Sequence, residues 1–115
     1  MNALAVDDAP FPYAGPEAWR EPIARALQAV VDPELALSIV DVGLVYGVTV
    51  GADHVHVLLT MTSAACPVTD LIVEDVESEL DRALPADLQI RVELTWTPAW
   101  TSDRMTESAK CFMGW

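Results

Sequence analysis

The spacing of apolar side chains predicts two long helices. In the first, over residues 17–31, Ile23, Leu27 and Val30 recur at helical spacing, and Pro22 is expected near the first helical position. The second helix lies in the later half of the chain and has about 15 residues. Its apolar positions fall on one arc and its acidic positions on the opposite arc: Ile72, Val73, Val76, Leu80, Ala83 and Leu84 against Asp70, Glu74, Glu77 and Asp81.

Three other segments have the valine-rich or alternating pattern of β-strands, at residues 44–50, 54–62 and 88–96. The turn at residues 51–53 is short enough to join the first two strands as an antiparallel hairpin. The second long helix connects the second strand to the third. Because such crossovers are right-handed and join parallel strands, these two strands are predicted to run in the same direction.

The order of these elements is α-β-β-α-β-α when a short C-terminal helix is included. This order predicts an α/β (α+β) fold, a two-layer domain in which a three-stranded mixed sheet carries helices packed on one face. At 115 residues the chain is expected to form a single domain over residues 17–115. Residues 1–16 contain three prolines and no periodic pattern, and they are predicted to be a flexible arm.

A net charge of −12, from 18 acidic and 6 basic residues, narrows the range of partners. Nucleic acids and anionic membranes both prefer basic surfaces, so neither is expected to bind. No uncharged apolar stretch approaches the roughly 20 residues of a membrane helix, and the N-terminal residues lack the basic segment of a secretory signal. Two cysteines without export are typical of a reducing compartment, so we expect a cytoplasmic protein.

The predicted topology brings the unusual residues to one edge of the sheet. If the hairpin is centred near Ala52, residue i pairs roughly with residue 104 − i, and Asp41 lies across from Ser63. The two parallel strands end on the same edge, which is where ligand sites in α/β sheets are usually found. This edge also receives three further segments, at residues 32–34, 60–67 and 96–100.

Cys66 is the candidate functional residue at this edge. A lone thiol is commonly a packed and unreactive side chain, and that interpretation stays open. Because Cys66 stands at the start of the second long helix, the helix N-terminus is expected to lower its pKa. Glu34 and Asp41 act in the opposite direction, since like charges disfavour ionisation. One cysteine cannot supply the four thiolates that usually hold an iron–sulfur cluster, so any metal at Cys66 is expected to be shared with a second subunit or a partner.

Three other residue groups have both a structural and a functional interpretation. Cys111 is predicted to pack rather than to bind metal, because it lies beside an apolar stripe of the last helix. His54 and His56 share a strand face but have no third ligand nearby in sequence, so we expect them to be solvated. Trp96 and Trp100 either close the edge of the sheet by packing or anchor a partner protein.

Four motifs together resemble a known family. They are DPE at 32–34, IVDVGLVY at 39–46, TMTSAACP at 60–67 and WTPAWTSDRMTESAK at 96–110. Each is weak by itself, but the four in this order resemble the metal–sulfur cluster assembly factors of the SufT-like and PaaD-like family. The resemblance extends over residues 17–114.

The resemblance implies a non-enzymatic assembly factor that matures iron–sulfur proteins as a carrier or an adaptor. The conserved cysteine of the family corresponds to Cys66, its acidic residues to Glu34 and Asp41, and its threonines to Thr60 and Thr62. The resemblance implies iron–sulfur client proteins and the assembly machinery as partners. No tightly bound cofactor is expected, only a transient cluster or an iron or zinc ion.

Two alternatives remain, together with an expectation about assembly. The chain is expected to form a homodimer, because a site with a single thiol gains ligands from symmetry. In the assembly factor, Ser63 is expected to support the Cys66 thiol together with Glu34, Asp41, Thr60 and Thr62. The first alternative is a small thiol-dependent enzyme with Cys66 as nucleophile and Asp41 as base or orienter. The second is a pure adaptor that docks through the loop from Trp96 to Trp100 and leaves Cys66 inert.

Overall fold

The computed structural model of the chain describes residues 11–62 and 68–114. The elements in chain order are β1 (Tyr13–Ala14), α1 (Glu17–Gln28), β2 (Val31–Asp32), β3 (Leu37–Ser38), α2 (Ile39–Val42), β4 (Val45–Val50), β5 (His54–Leu59), α3 (Thr69–Ala83), β6 (Gln89–Leu94) and α4 (Glu107–Met113). A single 3₁₀ turn, Ser102–Arg104, precedes α4.

The main sheet has the mixed topology that the crossover rule predicts. Its strand order is β1-β4-β5-β6, with β4 and β5 antiparallel and β5 and β6 parallel. Val55, Val57 and Leu59 point into the core and are fully buried, whereas Thr49 and Arg91 on the other side of the sheet are exposed. Helices therefore cover one face only, and the two-layer α+β prediction is confirmed.

The described sheet has four strands rather than the predicted three. Tyr13 and Ala14 form β1, which pairs in parallel with Val48 and Thr49 of β4. A separate two-stranded ribbon joins β2 to β3. Strands of two residues are too short to show an alternating pattern, because alternation needs several repeats to be recognised. These additions leave the fold class unchanged and place β1 within the segment that was assigned to the N-terminal arm.

The first helix begins earlier than its proline predicts. Pro22 lies inside α1, which starts at Glu17 and has Pro16 as its N-cap. Pro22 removes one backbone donor, a loss that usually ends a helix. The first turn nevertheless forms because the backbone N–H of Trp19 donates to Pro16, and because the Trp19 side chain packs against the core. Tertiary packing here overrides the local preference.

The core lies between the sheet and the two long helices. α1 contributes Ile23 and Leu27, and α3 contributes Ile72, Val76 and Leu80, all with no exposed surface. The acidic arc of α3 faces solvent as predicted, because ionised carboxylates are costly to bury. The packing fixes the position of the strand ends on which the candidate site is built.

The hairpin register changes at a β-bulge next to the candidate site. Val48 faces Val57, one residue away from the predicted pairing. The bulge lies between Val45 and Gly47 and restores the predicted pairing, so that Val45 faces Leu59. Bulges often occur beside functional sites, where they redirect the chain.

Candidate functional site

The short helix α2 lies at the end of the sheet where β4 begins and β5 ends. Its N-terminus is capped by the Ser38 hydroxyl, which accepts a hydrogen bond of 3.1 Å from the Val40 N–H. Its C-terminus is Gly43, with φ of 87°. A Cβ at this glycine would overlap the backbone of Arg104, so the position needs a residue without a side chain. Four residues of helix are thus held by a cap at each end.

Asp41 lies in α2, so the predicted pairing of Asp41 with Ser63 across a strand ladder is wrong for Asp41. Its carboxylate accepts hydrogen bonds from the Gln28 side chain at 3.0 Å and from the Thr106 hydroxyl at 3.5 Å. Its main-chain carbonyl accepts a bond of 2.9 Å from the Thr106 N–H. Asp41 therefore joins the end of α1 to the start of α4.

Sequence reasoning missed Gln28 and Thr106 as partners of Asp41. Thr106 is the N-cap of α4, because its hydroxyl accepts a hydrogen bond of 3.2 Å from the Ala109 N–H. Ser102 and Asp103, whose side chains could also cap a helix, lie in the preceding 3₁₀ turn. A threonine followed by glutamate is a recognised start signal for a helix, and this signal was available in the sequence.

Thr60 directly follows β5 and is completely buried. Its backbone N–H donates to the Leu44 carbonyl at 2.9 Å, which extends the hairpin past the bulge. Its side-chain hydroxyl has no hydrogen-bond partner within residues 11–62 and 68–114. Thr62 is half-buried. Ser63 and Cys66 lie outside the described residues, so their roles stay predictions.

Glu34 lies in the turn between β2 and β3 and is exposed. Its backbone N–H donates to the Asp32 carboxylate at 2.9 Å, and the carbonyl of Asp32 accepts from Leu35 and Ala36. Asp32 is only 2% exposed and was not singled out from the sequence. An aspartate before a proline commonly organises a turn in this way. Asp32 is thus the residue that shapes the DPE motif.

The loop after β6 is attached to α2 through Trp100. Its indole N–H donates to the Val42 carbonyl at 2.8 Å, and its ring packs against the core. The Tyr46 hydroxyl donates to the Pro98 carbonyl at 2.7 Å. Trp96, in contrast, is 46% exposed. Of the two tryptophans predicted to bind a partner, Trp100 has a structural role in the described fold and Trp96 presents its ring to solvent.

The remaining candidates lie outside this cluster. His54 contacts Asp53 at 3.0 Å and His56 contacts Glu93 at 2.8 Å. The hydrogen bond from His54 lowers the pKa of the Asp53 carboxyl. No three His, Cys, Asp or Glu side chains of the described residues converge as a metal site.

Cys111 is exposed, and the prediction that it packs is wrong. Ala109 is the buried residue of α4, and Met105, which lies just before the N-cap Thr106, is buried as well. Phe112, which follows Cys111 in α4, is 67% exposed. A helix of seven residues has only two turns, and α4 buries one side of those turns against α2.

The hydrogen bonds around α2 form a frame that connects three distant segments of the chain. The main-chain carbonyls of Asp41 and Val42 in α2, and of Leu44 shortly after it, each accept a hydrogen bond from a distant segment. The carboxylate of Asp41 accepts hydrogen bonds from two donors, Gln28 and Thr106. His54 and His56 lie near the start of β5, whereas Thr60 follows its other end. Within the described part of the chain, a general base positioned for nucleophilic catalysis is therefore not apparent beside Thr60.

None of the helices formed by residues 11–62 and 68–114 has the length and apolar character to cross a membrane.

Comparisons with known proteins agree on one family. The sequence profile of the iron–sulfur cluster assembly protein family matches residues 20–94. The Fe–S protein maturation auxiliary factor YitW of Bacillus subtilis is 42% identical over 99 residues, which are 85% of this chain and 96% of that protein. The Fe–S protein maturation auxiliary factor SufT of Staphylococcus aureus is 38% identical over 86 residues, 74% of this chain and 97% of that protein.

A solved structure shares the fold. The crystal structure of a domain of unknown function, DUF59, from Bacillus anthracis superposes with a TM-score of 0.80. It is 39% identical in sequence, and the match covers 85% of this chain and 93% of that chain.

Proposed function

The chain belongs to the iron–sulfur cluster assembly protein family, and from this premise we propose that it is a non-enzymatic maturation factor for iron–sulfur proteins. Its partners are client apoproteins and the assembly machinery that supplies their clusters. Cys66 is the functional thiol, and the residues around it hold the segment that carries it. Glu34, Asp41, Thr60, Thr62 and Ser63 are the supporting residues.

The observation that carries this proposal is the convergence of three separate motifs on α2. The segments 39–46, 60–62 and 96–110 are distant in sequence but share hydrogen bonds at one point. The carbonyls of Asp41, Val42 and Leu44 accept from Thr106, Trp100 and Thr60, respectively. Thr60, bonded to Leu44, precedes the segment that contains Cys66 in the sequence, and α3 begins after that segment, at Thr69.

The proposed role of the thiol is to contribute one ligand to a cluster or metal ion in transit. A cluster that takes four thiolates needs further ligands, and these come from the scaffold or the client. A site of this kind releases its cargo readily, because the partner already supplies part of the coordination. The net charge of −12 favours basic surfaces on those partners.

A thiol-dependent enzyme is the less favoured candidate. Nucleophilic catalysis by Cys66 with Asp41 as base needs an available carboxylate, but Asp41 accepts hydrogen bonds from Gln28 and Thr106. The relatives named above are described as auxiliary maturation factors, which favours a role without turnover.

A pure adaptor is the second candidate, and the exposure of Trp96 favours it. The ring lies at the end of β6, on the edge that carries the motifs, and exposed tryptophans are frequent anchors at interfaces. In this case Trp96→Ala abolishes client maturation while Cys66→Ala leaves it intact. Trp100→Ala is a poor test of docking, because Trp100 also holds the loop to α2.

The test is complementation of a strain that lacks the protein. The wild type, Cys66→Ala, Cys111→Ala and Trp96→Ala are each expressed to the same level, and the iron and acid-labile sulfide content of iron–sulfur enzymes is measured. Cys111→Ala is the matched control, because it removes an exposed thiol on α4. We expect Cys111→Ala to restore cluster content and Cys66→Ala to fail. Full rescue by Cys66→Ala would remove the thiol from the mechanism.

A further inference from the structure

The strand β6 forms an edge of the described sheet. It pairs with β5 on one side, and no described strand lies on its other side. The strand is six residues long, Gln89–Leu94, and contains no proline, no lysine and no bulge against β5. Natural proteins usually protect an edge of this kind, because it can pair with another strand.

The backbone of β6 is oriented so that its even-numbered residues face the open side. The N–H groups of Gln89 and Thr95 donate to carbonyls of the β5 side, at Asp53 and Leu59. Successive residues of a strand alternate in direction, so the odd-numbered residues bond to β5. The N–H and C=O groups of Ile90, Val92 and Leu94 therefore point away from the sheet.

The side chains of β6 are self-complementary in one antiparallel register. If Val92 lies on a two-fold axis, then Arg91 faces the partner's Glu93, and Ile90 faces the partner's Leu94. The outward-pointing backbone groups of Ile90, Val92 and Leu94 then form the hydrogen-bonded pairs, with about six hydrogen bonds in all. Arg91 and Glu93 fall in the non-hydrogen-bonded pairs, where opposed side chains are closest.

The neighbouring registers are electrostatically unfavourable. A shift of the axis to Arg91 sets two arginines against each other, and a shift to Glu93 sets two glutamates against each other. A shift of the pairing by one residue puts apolar side chains on the solvated face and mismatches the backbone groups. Among these neighbouring registers, the one centred on Val92 pairs opposite charges and also matches the backbone groups.

The distribution of ion pairs among the basic residues also supports β6 as an interaction surface. Arg20, Arg25, Arg82 and Lys110 each form an ion pair within the chain, and Arg104 lies over the Tyr46 ring at 4.4 Å. Arg91 has no ion pair among the described residues, although its charge helps to lower the pKa of Asp53. Glu93 contacts His56 at 2.8 Å, and its side chain is 64% exposed. Both charged groups of β6 therefore remain accessible to a second chain.

We propose that two copies of this chain associate through their β6 strands in an antiparallel pair centred on Val92, which joins the two sheets into one. The interface is small, and its stability comes from backbone hydrogen bonds and two Arg91–Glu93 contacts. The pairing is independent of the proposed function of Cys66. It also directs the carboxyl ends of the two β6 strands in opposite directions, so it does not bring the two motif edges together.

Charge reversal tests the register directly. Arg91→Glu and Glu93→Arg each place like charges opposite one another, and we expect each to weaken dimerisation about tenfold or more. The double variant Arg91→Glu/Glu93→Arg keeps the net charge and restores opposite charges across the axis, so we expect dimerisation to recover. Arg82→Glu is the control for net charge, because it makes the same change at an exposed position on α3.

The measurement is sedimentation equilibrium up to about 0.5 mM protein, because an interface of this size is expected to be weak. Circular dichroism confirms that each variant is folded. A wild type that remains monomeric over this range overturns the proposal, and so does a double variant that stays as weak as the two single variants.

Amide hydrogen exchange provides a second readout that does not depend on substitutions. In the dimer, the amides of Ile90, Val92 and Leu94 are bonded across the axis, so we expect their exchange to slow as protein concentration rises. The amides of Arg91 and Glu93 face β5 and should be protected at every concentration. Exchange at Ile90, Val92 and Leu94 that is independent of concentration, in a sample that sediments as a dimer, would exclude β6 as the interface.

Discussion

The variant Thr60→Val tests whether the buried hydroxyl of Thr60 contributes a stabilising hydrogen bond at the candidate site. The side chain is completely buried, and within residues 11–62 and 68–114 its oxygen has no hydrogen-bond partner. Valine has nearly the same shape and replaces this hydroxyl by a methyl group. The backbone hydrogen bond from Thr60 to Leu44 is unaffected, because it uses the main-chain N–H.

The expected effect is an increase in stability. Burial of a hydroxyl without a hydrogen bond costs about 1–3 kcal/mol in proteins, and Thr60→Val removes most of that cost. We therefore expect the free energy of unfolding to rise by about 1–2 kcal/mol. For a domain of this size, that corresponds to a rise in Tm of roughly 4–10 °C. Thr60→Ser is the matched control, since it keeps the hydroxyl, loses the methyl group and should destabilise by about 1 kcal/mol.

Urea denaturation and thermal unfolding monitored by circular dichroism measure these changes. A fall in the free energy of unfolding of more than about 1 kcal/mol for Thr60→Val would refute the reasoning, because it would show that the hydroxyl has a stabilising partner. The same variant should be introduced into the complementation assay. A protein that is more stable than wild type but matures fewer clusters would assign the hydroxyl a role in function rather than in folding.

Two further predictions concern the frame around α2. Gly43→Ala should lower the free energy of unfolding by more than about 2 kcal/mol, because its positive φ and the adjacent backbone both exclude a Cβ; an unchanged urea midpoint would contradict this. Trp100→Phe should cost about 1–2 kcal/mol through the lost indole hydrogen bond, whereas the exposed Trp96→Phe should change stability by less than about 0.5 kcal/mol in the same denaturation assay. Equal effects of the two substitutions would be inconsistent with the different environments of the rings.

The long elements of the fold could be predicted because their patterns repeat several times. The apolar arc of α3 and the alternation of β5 and β6 each extend over enough residues to identify the element and its buried face. β1 could not be found in this way, since Tyr13 and Ala14 form a strand only by pairing with β4. Pro22 predicted a later start for α1 than the structure shows. The helix begins at Glu17 because packing of Trp19 against the core stabilises the turn before Pro22.

The candidate site was predictable as a location but not in its contacts. Parallel strands end on one edge, and this rule placed Thr60 and the tryptophan loop in the same region. Asp41 was placed there by the hairpin pairing, but it lies in α2 rather than in the ladder. The four residues of α2 have no periodicity of their own, so their helical form depends on Ser38, Gly43 and bonds to distant segments. The partnership of Asp41 with Gln28 and Thr106 links three elements and has no local signal in the sequence.

A cluster shared between two copies and a dimer formed through β6 require different arrangements of the two chains. A cluster shared between the Cys66 thiols of two copies needs their motif edges to meet, because ligands must lie within a few ångströms of one metal centre. Pairing through β6 separates those edges: Leu94 lies opposite the partner's Ile90, so the two Leu94 residues are offset by about 14 Å along the ladder at ~3.4 Å per residue. A dimer of this form leaves each edge open to its own partner. It therefore favours a mechanism in which the remaining cluster ligands come from the scaffold or the client, and in which each chain of the dimer serves one client.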